Sequence, residues 1–120
     1  MRYFLVGLAF IANGAFAQDW ALRDGDVVFD QQALSALSEG AALTFFDDGT
    51  SRFSAGGSYS YTYASGESAF GRFEIGENGQ ICIQFRNGFG RCDTYVRNAG
   101  RIVLLTEKGE RYPVRDFTTP

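Results

Sequence analysis

The sequence contains no histidine, one lysine, two cysteines and two prolines among its 120 residues. Without histidine, the chain lacks the side chain that most often acts as a general base and as a metal ligand. Two cysteines are too few for a zinc site built from cysteine alone. Acidic residues outnumber basic residues by 14 to 11, which disfavours nucleic acid as a partner. We therefore expect a protein that is not an enzyme, uses no cofactor, holds no metal ion and binds no nucleic acid.

Glycine and aromatic residues are abundant. The chain has 15 glycines, 16% aromatic residues and 45% hydrophobic residues. This apolar content is too high for a disordered chain, and the length fits one small domain. No linker or internal repeat divides the sequence.

The N-terminus has the pattern of a signal peptide. Arg2 precedes an apolar run over residues 3–12, and Ala15 and Ala17 place small residues where a signal peptidase cleaves. The run is shorter than the about 17 to 25 residues that span a bilayer. The pattern predicts a signal peptide over residues 1–17, cleaved after Ala17, and one exported domain over residues 18–120. We expect the product in the periplasm or secreted, with no stable membrane anchor after cleavage.

In an exported chain of this size, two cysteines indicate a structural disulfide. Cys82 and Cys92 are therefore expected to be bonded to each other. Closing so short a loop restricts the unfolded chain and stabilises the fold by about 2.5 to 3 kcal/mol. If residues 87–90 form the turn between them, the two cysteines lie on adjacent strands but not directly opposite, so that a bulge or longer loop is needed.

The mature chain begins with one helix and continues as strands. Asp30 is a capping residue, Leu34 and Leu37 are three apart, and Gly40 ends the segment, which predicts one short helix. After Gly40, short aromatic or β-branched runs predict seven or eight strands. These runs are Ala42–Asp47, Arg52–Ser54, Tyr59–Ala64, Ala69–Ile75, Gln80–Arg86, Cys92–Arg97, Arg101–Thr106 and Arg111–Val114.

Turn signals recur about every ten residues between these runs, the spacing of an antiparallel meander. A parallel sheet is excluded because its crossovers need a dozen or more residues. The run Ile102–Leu105 is apolar on both faces and predicts a central strand. The expected fold is mainly β: a meander forming a small, partly closed barrel or a sandwich, with one short N-terminal helix and one disulfide.

Several segments of the chain resemble a group of small exported proteins of Gram-negative bacteria known only as a domain of unknown function. The segments that carry the resemblance are residues 43–49, 56–59, 71–76, 79–82, 91–93 and 109–113. Phe73 stands where that group commonly has tryptophan. The resemblance implies an all-β, disulfide-bearing exported domain, and it implies no catalytic residue.

Two groups of residues are candidates for ligand or partner contacts. Tyr59, Tyr61 and Tyr63 share one face of a strand. This face is expected to point inward as core, and the alternative is a stacking platform for a flat ligand in an open barrel mouth. The other candidates surround the turn beside the cysteines: Arg86, Asn87, Phe89 and Arg91.

Arginines at positions 86, 91, 97, 101 and 111 either form a patch for an anionic partner or pair with acids on neighbouring strands, and we favour the pairing. The expected function is a non-enzymatic periplasmic domain that binds a protein partner or a small ligand. The alternative is an inhibitor of an extracytoplasmic hydrolase, a protease or a lysozyme, that docks through a rigid loop.

Overall fold

The computed structural model describes residues 20–119, which form nine strands and one helix. The predicted signal peptide therefore lies outside the described residues. In chain order the elements are β1 (Val27–Val28), α1 (Gln31–Leu37), β2 (Ala42–Phe45), β3 (Thr50–Phe53), β4 (Ser58–Thr62), β5 (Ser68–Ile75), β6 (Ile81–Phe85), β7 (Gly90–Asn98), β8 (Arg101–Thr106) and β9 (Arg111–Thr118). Within the described range, no helix is long and apolar enough to cross a membrane.

Strands β2 to β9 form a closed barrel. Each strand pairs antiparallel with the next along the chain, and β9 pairs back with β2. The predicted meander is thus confirmed, but the sheet closes completely, because Ala42 to Thr44 pair with Asp116 to Thr118 of β9, beyond the end of the predicted last strand. The short strand β1, which the sequence analysis missed, pairs with Val96 and Arg97 of β7, farther along that strand than the residues paired with β6.

Six of the seven hairpins between β2 and β9 share one turn geometry. In each of the six, the residue before the turn donates its N–H to the carbonyl of the residue four positions later. Its own carbonyl accepts from the N–H of the residue three positions later. This places one residue in the left-handed region, where glycine costs least. The left-handed residues at this position are Asp48, Gly57, Gly66, Gly79, Gly88 and Gly109, and Gly56 of the β3–β4 turn also has positive φ. The seventh hairpin, between β7 and β8, is a two-residue turn with positive φ at both Ala99 and Gly100.

Alternate residues of the strands fill the barrel. Phe53 lies at the centre, with its ring centroid 5.1 Å from that of Tyr59, 5.2 Å from that of Phe73 and 6.4 Å from that of Tyr95. The remaining strand residues of this core are Leu43, Phe45, Ile81, Ile83, Ile102, Leu104 and Val114. An eight-stranded barrel is just wide enough for side chains to fill it or to leave room for one small ligand.

The helix closes one end of the barrel. Asp30 caps it by accepting a hydrogen bond from the N–H of Ala33 at 2.8 Å, and Leu34 and Leu37 are buried in the core. A seven-residue helix cannot hold itself together in water, so its stability comes from these two leucines. The prediction of a short capped helix is confirmed, with an end at Leu37 rather than Gly40.

The residues before β1 form a strap across the outside of the barrel. Trp20 covers Val96, Val103 and Leu105, which point away from the barrel axis. This explains why Ile102–Leu105 is apolar on both faces: one face meets the core and the other meets the strap. The strap, defined as residues 20–26, is fastened by Arg111, whose guanidinium donates to the carbonyl of Ala21 at 2.8 Å.

The disulfide links two residues that are directly opposite each other. Cys82 and Cys92 are paired in register, with their Cα atoms 4.0 Å apart. The expectation of an offset pair was therefore wrong. The turn is centred on Asn87, with Phe85 bonded to Phe89, rather than on residues 87–90. Cys82 and Cys92 are equally far from Asn87 along the chain, so they lie opposite each other without an additional bulge in either strand.

Candidate functional site at the barrel mouth

The two ends of the barrel differ. Successive hairpins of a meander alternate between the ends, so the turns after β2, β4, β6 and β8 share one end. At the opposite end, the N–H of Phe53 donates to the carbonyl of Ala41 at 3.0 Å, which brings the helix segment against the strand ends. The end with the four turns has no such cover among the described residues, and we call it the mouth.

A cavity of about 500 Å³ opens at the mouth. The lining combines aromatic and aliphatic side chains with a small number of charged ones, a composition typical of small-molecule sites. Its lining residues are Phe45, Phe46, Asp47, Tyr61, Tyr63, Phe85, Arg91, Leu104, Thr106, Glu110, Tyr112 and Pro113.

The tyrosine row runs from the core to the mouth. Tyr59 is buried, Tyr61 is half-buried, and Tyr63 is 52% exposed. The expectation that the whole row is inward core is thus wrong for Tyr63, because β4 ends at Thr62 and Tyr63 stands on the rim. Burial raises the pKa of Tyr59 to about 12, and its hydroxyl lies 2.8 Å from the Ser51 hydroxyl.

The upper two tyrosines form a corner of the cavity. The ring centroids of Tyr61 and Tyr63 are 4.9 Å apart and the ring planes are nearly perpendicular, at 76°. A Cβ placed on Gly49 would collide with the Tyr61 hydroxyl and would lie 3.1 Å from Oδ1 of Asp47. The Tyr61 hydroxyl therefore rests over Gly49, beside the Asp47 carboxylate. Burial first, and then the charge of Asp47, raise the pKa of Tyr61.

Arg91 is the cation of the cavity lining. Its Nε lies 3.0 Å from Oδ2 of Asp93, and the Asp93 side chain is only 2% exposed. The N–H of Arg91 is not directed at this oxygen, so Oδ2 makes an ion pair without a hydrogen bond among residues 20–119. Burial, partly offset by Arg91, raises the pKa of Asp93 to about 6.

The residues of the β6–β7 turn stand apart from the cavity. Oδ1 of Asn87 accepts from the N–H of Phe89 at 2.9 Å, so Asn87 shapes the turn. Phe89 is 73% exposed, and Arg86 lies over the ring of Phe70, with its guanidinium carbon 5.4 Å from the centroid. Of the candidates named from sequence, the structure brings Tyr61, Tyr63 and Arg91 together in the cavity and leaves these turn residues outside it.

The five arginines considered as an anionic patch have separate partners. Arg97 lies over the ring of Phe29, and Arg101 lies over that of Phe46. Arg111 forms an ion pair with Asp26, as Arg91 does with Asp93. Pairing with acids thus accounts for two of the five, and packing on aromatic rings accounts for the others.

Sequence reasoning missed most of the cavity. Asp47, Phe85 and the pair Glu110 and Tyr112 come from three different hairpins, and only the closure of the barrel brings them together. A usable signal was present: the turns after alternate strands of a meander share one end, so their residues should have been compared as a group. No family model, curated protein or solved structure matches this chain significantly.

Proposed function

We propose that this protein is an exported, non-enzymatic domain that binds a small ligand in the mouth of its barrel. The observation that carries the proposal is the aromatic-lined cavity of about 500 Å³ at the open end of a barrel that is otherwise filled. Buried side chains fill the rest of the barrel interior, so the opening is not required for the packing of the core. Tyr63 and Tyr112 keep 52% and 44% of their surface exposed at this opening. Large aromatic surface that stays exposed around a cavity is typical of ligand sites.

The proposal of export to the periplasm or the exterior rests on the signal-peptide pattern of residues 1–17 and on the disulfide. Cys82 and Cys92 are bonded and the described residues contain no free cysteine, as suits an oxidising compartment. The absence of histidine from the sequence supports a binding rather than a catalytic role.

The test is recovery and displacement of a ligand. Protein purified from the periplasm is examined by native mass spectrometry for a bound small molecule, and binding of a fluorescent aromatic probe is measured by titration. Tyr63→Ala should weaken the probe about tenfold, because one exposed stacking ring contributes about 1 kcal/mol or more. Phe70→Ala is the matched control, since Phe70 is equally exposed at 49% but lies outside the cavity.

Equal binding by the Tyr63→Ala and Phe70→Ala variants would contradict the proposed site. A ligand bound with the same affinity after both substitutions must lie elsewhere on the barrel. Thermal unfolding of the two variants checks that each remains folded, since both side chains are half-exposed and neither fills the core.

Inhibition of an extracytoplasmic hydrolase is the alternative function, and the β6–β7 hairpin favours it. Its tip presents Phe89 at 73% exposure. The amide of Gln84 contacts the carbonyls of Gly88 and Phe89, both at 3.3 Å, and the disulfide ties the strands below. A loop held this firmly loses little conformational entropy on docking.

The alternative is tested by adding the protein to a panel of secreted proteases and to lysozyme. Inhibition that is lost in Phe89→Ala and kept in Tyr63→Ala would establish the hairpin function. Absence of inhibition across the panel, together with a ligand recovered from the mouth, would favour the ligand-binding function.

A further inference from the structure

The aromatic side chains of the mouth are accompanied by an excess of negative charge. Asp47 and Glu110 line the cavity, and neither forms an ion pair within residues 20–119. Arg91 is the one cation of the lining, and the buried carboxylate of Asp93 lies 3.0 Å behind it. With Asp93 counted, the mouth holds three carboxylates against one guanidinium.

Three tyrosine rings and the two carboxylates line the same cavity. The Tyr61 hydroxyl lies beside Asp47, and Tyr63 stands edge-to-face against Tyr61 at 4.9 Å. Tyr112 lies on β9 and lines the same cavity, and burial, followed by the neighbouring Glu110 and Asp47, raises its pKa. All three rings thus border a region to which the two carboxylates contribute negative potential. The faces of aromatic rings also carry negative potential and attract organic cations.

We propose that the ligand of the mouth is a small organic cation with a methylated or quaternary ammonium group, held among Tyr61, Tyr63 and Tyr112 and attracted by Asp47 and Glu110. This inference rests on the proposed ligand-binding function and names its ligand class. An ammonium group with apolar substituents suits the site because the rings contact its methyl groups while the carboxylates balance its charge. A purely anionic ligand would have only Arg91, whose charge Asp93 already offsets.

The experiment compares three probes of nearly the same shape and different charge. These are choline, dimethylbutanol, in which carbon replaces the quaternary nitrogen, and dimethylbutanoate, which carries a negative charge. Titration calorimetry should show choline binding about tenfold more tightly than the neutral probe, with the anion weakest. The neutral probe measures the contribution of shape and apolar contact alone.

Variants assign the charge effect to the mouth. Asp47→Asn keeps the acceptor that the N–H of Gly49 uses at 2.9 Å, and Glu110 is exposed, so both substitutions preserve the fold. The double variant Asp47→Asn with Glu110→Gln should bring choline to within about twofold of the neutral probe. Glu77→Gln, in the turn between β5 and β6 at the opposite end, removes one exposed carboxylate and should leave choline binding unchanged.

Three outcomes would overturn the cation inference: equal binding of choline and dimethylbutanol, tighter binding of dimethylbutanoate, or no binding of any probe. The first two still leave a ligand in the mouth, so the proposed function would stand with a neutral or anionic ligand. The third is separated from failure of the proposed function by the aromatic probe and the Tyr63→Ala variant, which test the cavity regardless of ligand charge.

Discussion

Two aspartate–arginine pairs in this protein have opposite electrostatic characters. Asp26 pairs with Arg111 on the outside of the barrel, and Asp93 pairs with Arg91 beneath the mouth. Both aspartate side chains are 2% exposed. Yet the pKa of Asp26 lies well below its ordinary value, and that of Asp93 is raised to about 6. Exposure and the presence of an arginine therefore do not determine the charge state of a carboxylate.

Hydrogen bonds explain the low pKa of Asp26. Its two oxygens accept from both terminal nitrogens of Arg111, at 2.7 and 3.0 Å, which is the two-pronged geometry that guanidinium groups favour. They also accept from the amide of Asn98 at 2.8 Å and the N–H of Arg23 at 2.7 Å. These donors outweigh the desolvation of a group that is covered by only a thin layer of the strap.

Desolvation explains the raised pKa of Asp93. It lies within the barrel wall between Ile81 and Thr106, where far more protein surrounds it than surrounds Asp26. Arg91 offers it a contact at 3.0 Å without a directed hydrogen bond. The first pair thus fastens the strap, whereas the second keeps a poorly solvated charge near the candidate site. Directed hydrogen bonds, more than distance to an arginine, stabilise a covered carboxylate.

The largest effect is expected from removing Arg111. The substitution Arg111→Met leaves Asp26 covered with two of its four donors lost, and it also frees the carbonyl of Ala21. We expect the free energy of unfolding at pH 7 to fall by about 3 kcal/mol. Trp20, the one tryptophan of the sequence, belongs to the same strap and packs on Val96, Val103 and Leu105, so its emission should shift to longer wavelength when the strap loosens. Urea unfolding and tryptophan fluorescence measure both changes.

Arg115→Met is the control for this substitution. Arg115 contacts Asp48 and Asp116 on the exposed surface, and both of these carboxylates are well solvated. The control should leave the free energy of unfolding and the Trp20 emission unchanged. A loss as large in the control as in Arg111→Met would show that the strap pair behaves as an ordinary surface pair.

A smaller effect is expected from Asp26→Asn. The amide keeps the shape of the carboxylate but weakens its bonds with Arg111 and Asn98, so the free energy of unfolding at pH 7 should fall by about 2 kcal/mol. Because the pKa of Asp26 is lowered in the folded protein, its stabilisation is present above the unfolded pKa and is lost as the pH falls. The variant should therefore approach the wild type in stability below about pH 4 in urea titrations. A difference that does not depend on pH would contradict this account.

The sequence predicted the elements of the fold well because their signals are local. Eight strands, the capped helix and the disulfide follow from patterns that span about ten residues. The meander also follows, since short turns permit only antiparallel neighbours. Complete closure does not follow, because it depends on the pairing of Ala42 with Thr118, residues at opposite ends of the barrel sequence.

The two aspartate pairs show where sequence reasoning stops. Asp93 and Arg91 are two positions apart on one strand, so their shared face is predictable, yet the depth of Asp93 is set by the strands on either side. Asp26 and Arg111 are 85 positions apart, and nothing near either residue indicates the other. The cavity resembles the Asp26–Arg111 pair in this respect, because its residues come from four hairpins that are distant from one another in the sequence. Only Tyr61, Tyr63 and Arg91 were identified in advance.

The substitution Asp93→Asn should have the smallest effect, and it should raise the free energy of unfolding where the other two lower it. The folded-state pKa of about 6 lies above the ordinary value of 3.8, so the ionised form is the one that folding disfavours. The contribution of Asp93 to stability is thus greatest below the unfolded pKa and is lost as the pH rises through about 6. A shift of about two pH units corresponds to about 3 kcal/mol.

Replacing Asp93 by neutral asparagine avoids this loss but leaves Arg91, whose side chain is 40% exposed, without its counter-charge. The remaining gain at pH 8 should therefore be about 1 kcal/mol in the free energy of unfolding. Near pH 4 the gain should vanish, because Asp93 of the wild type is then itself protonated. Urea unfolding at the two pH values tests this directly. If Asp93→Asn instead destabilises the protein at pH 8 as much as Asp26→Asn does, both aspartate–arginine pairs stabilise the fold. Desolvation would then not determine the charge state of Asp93.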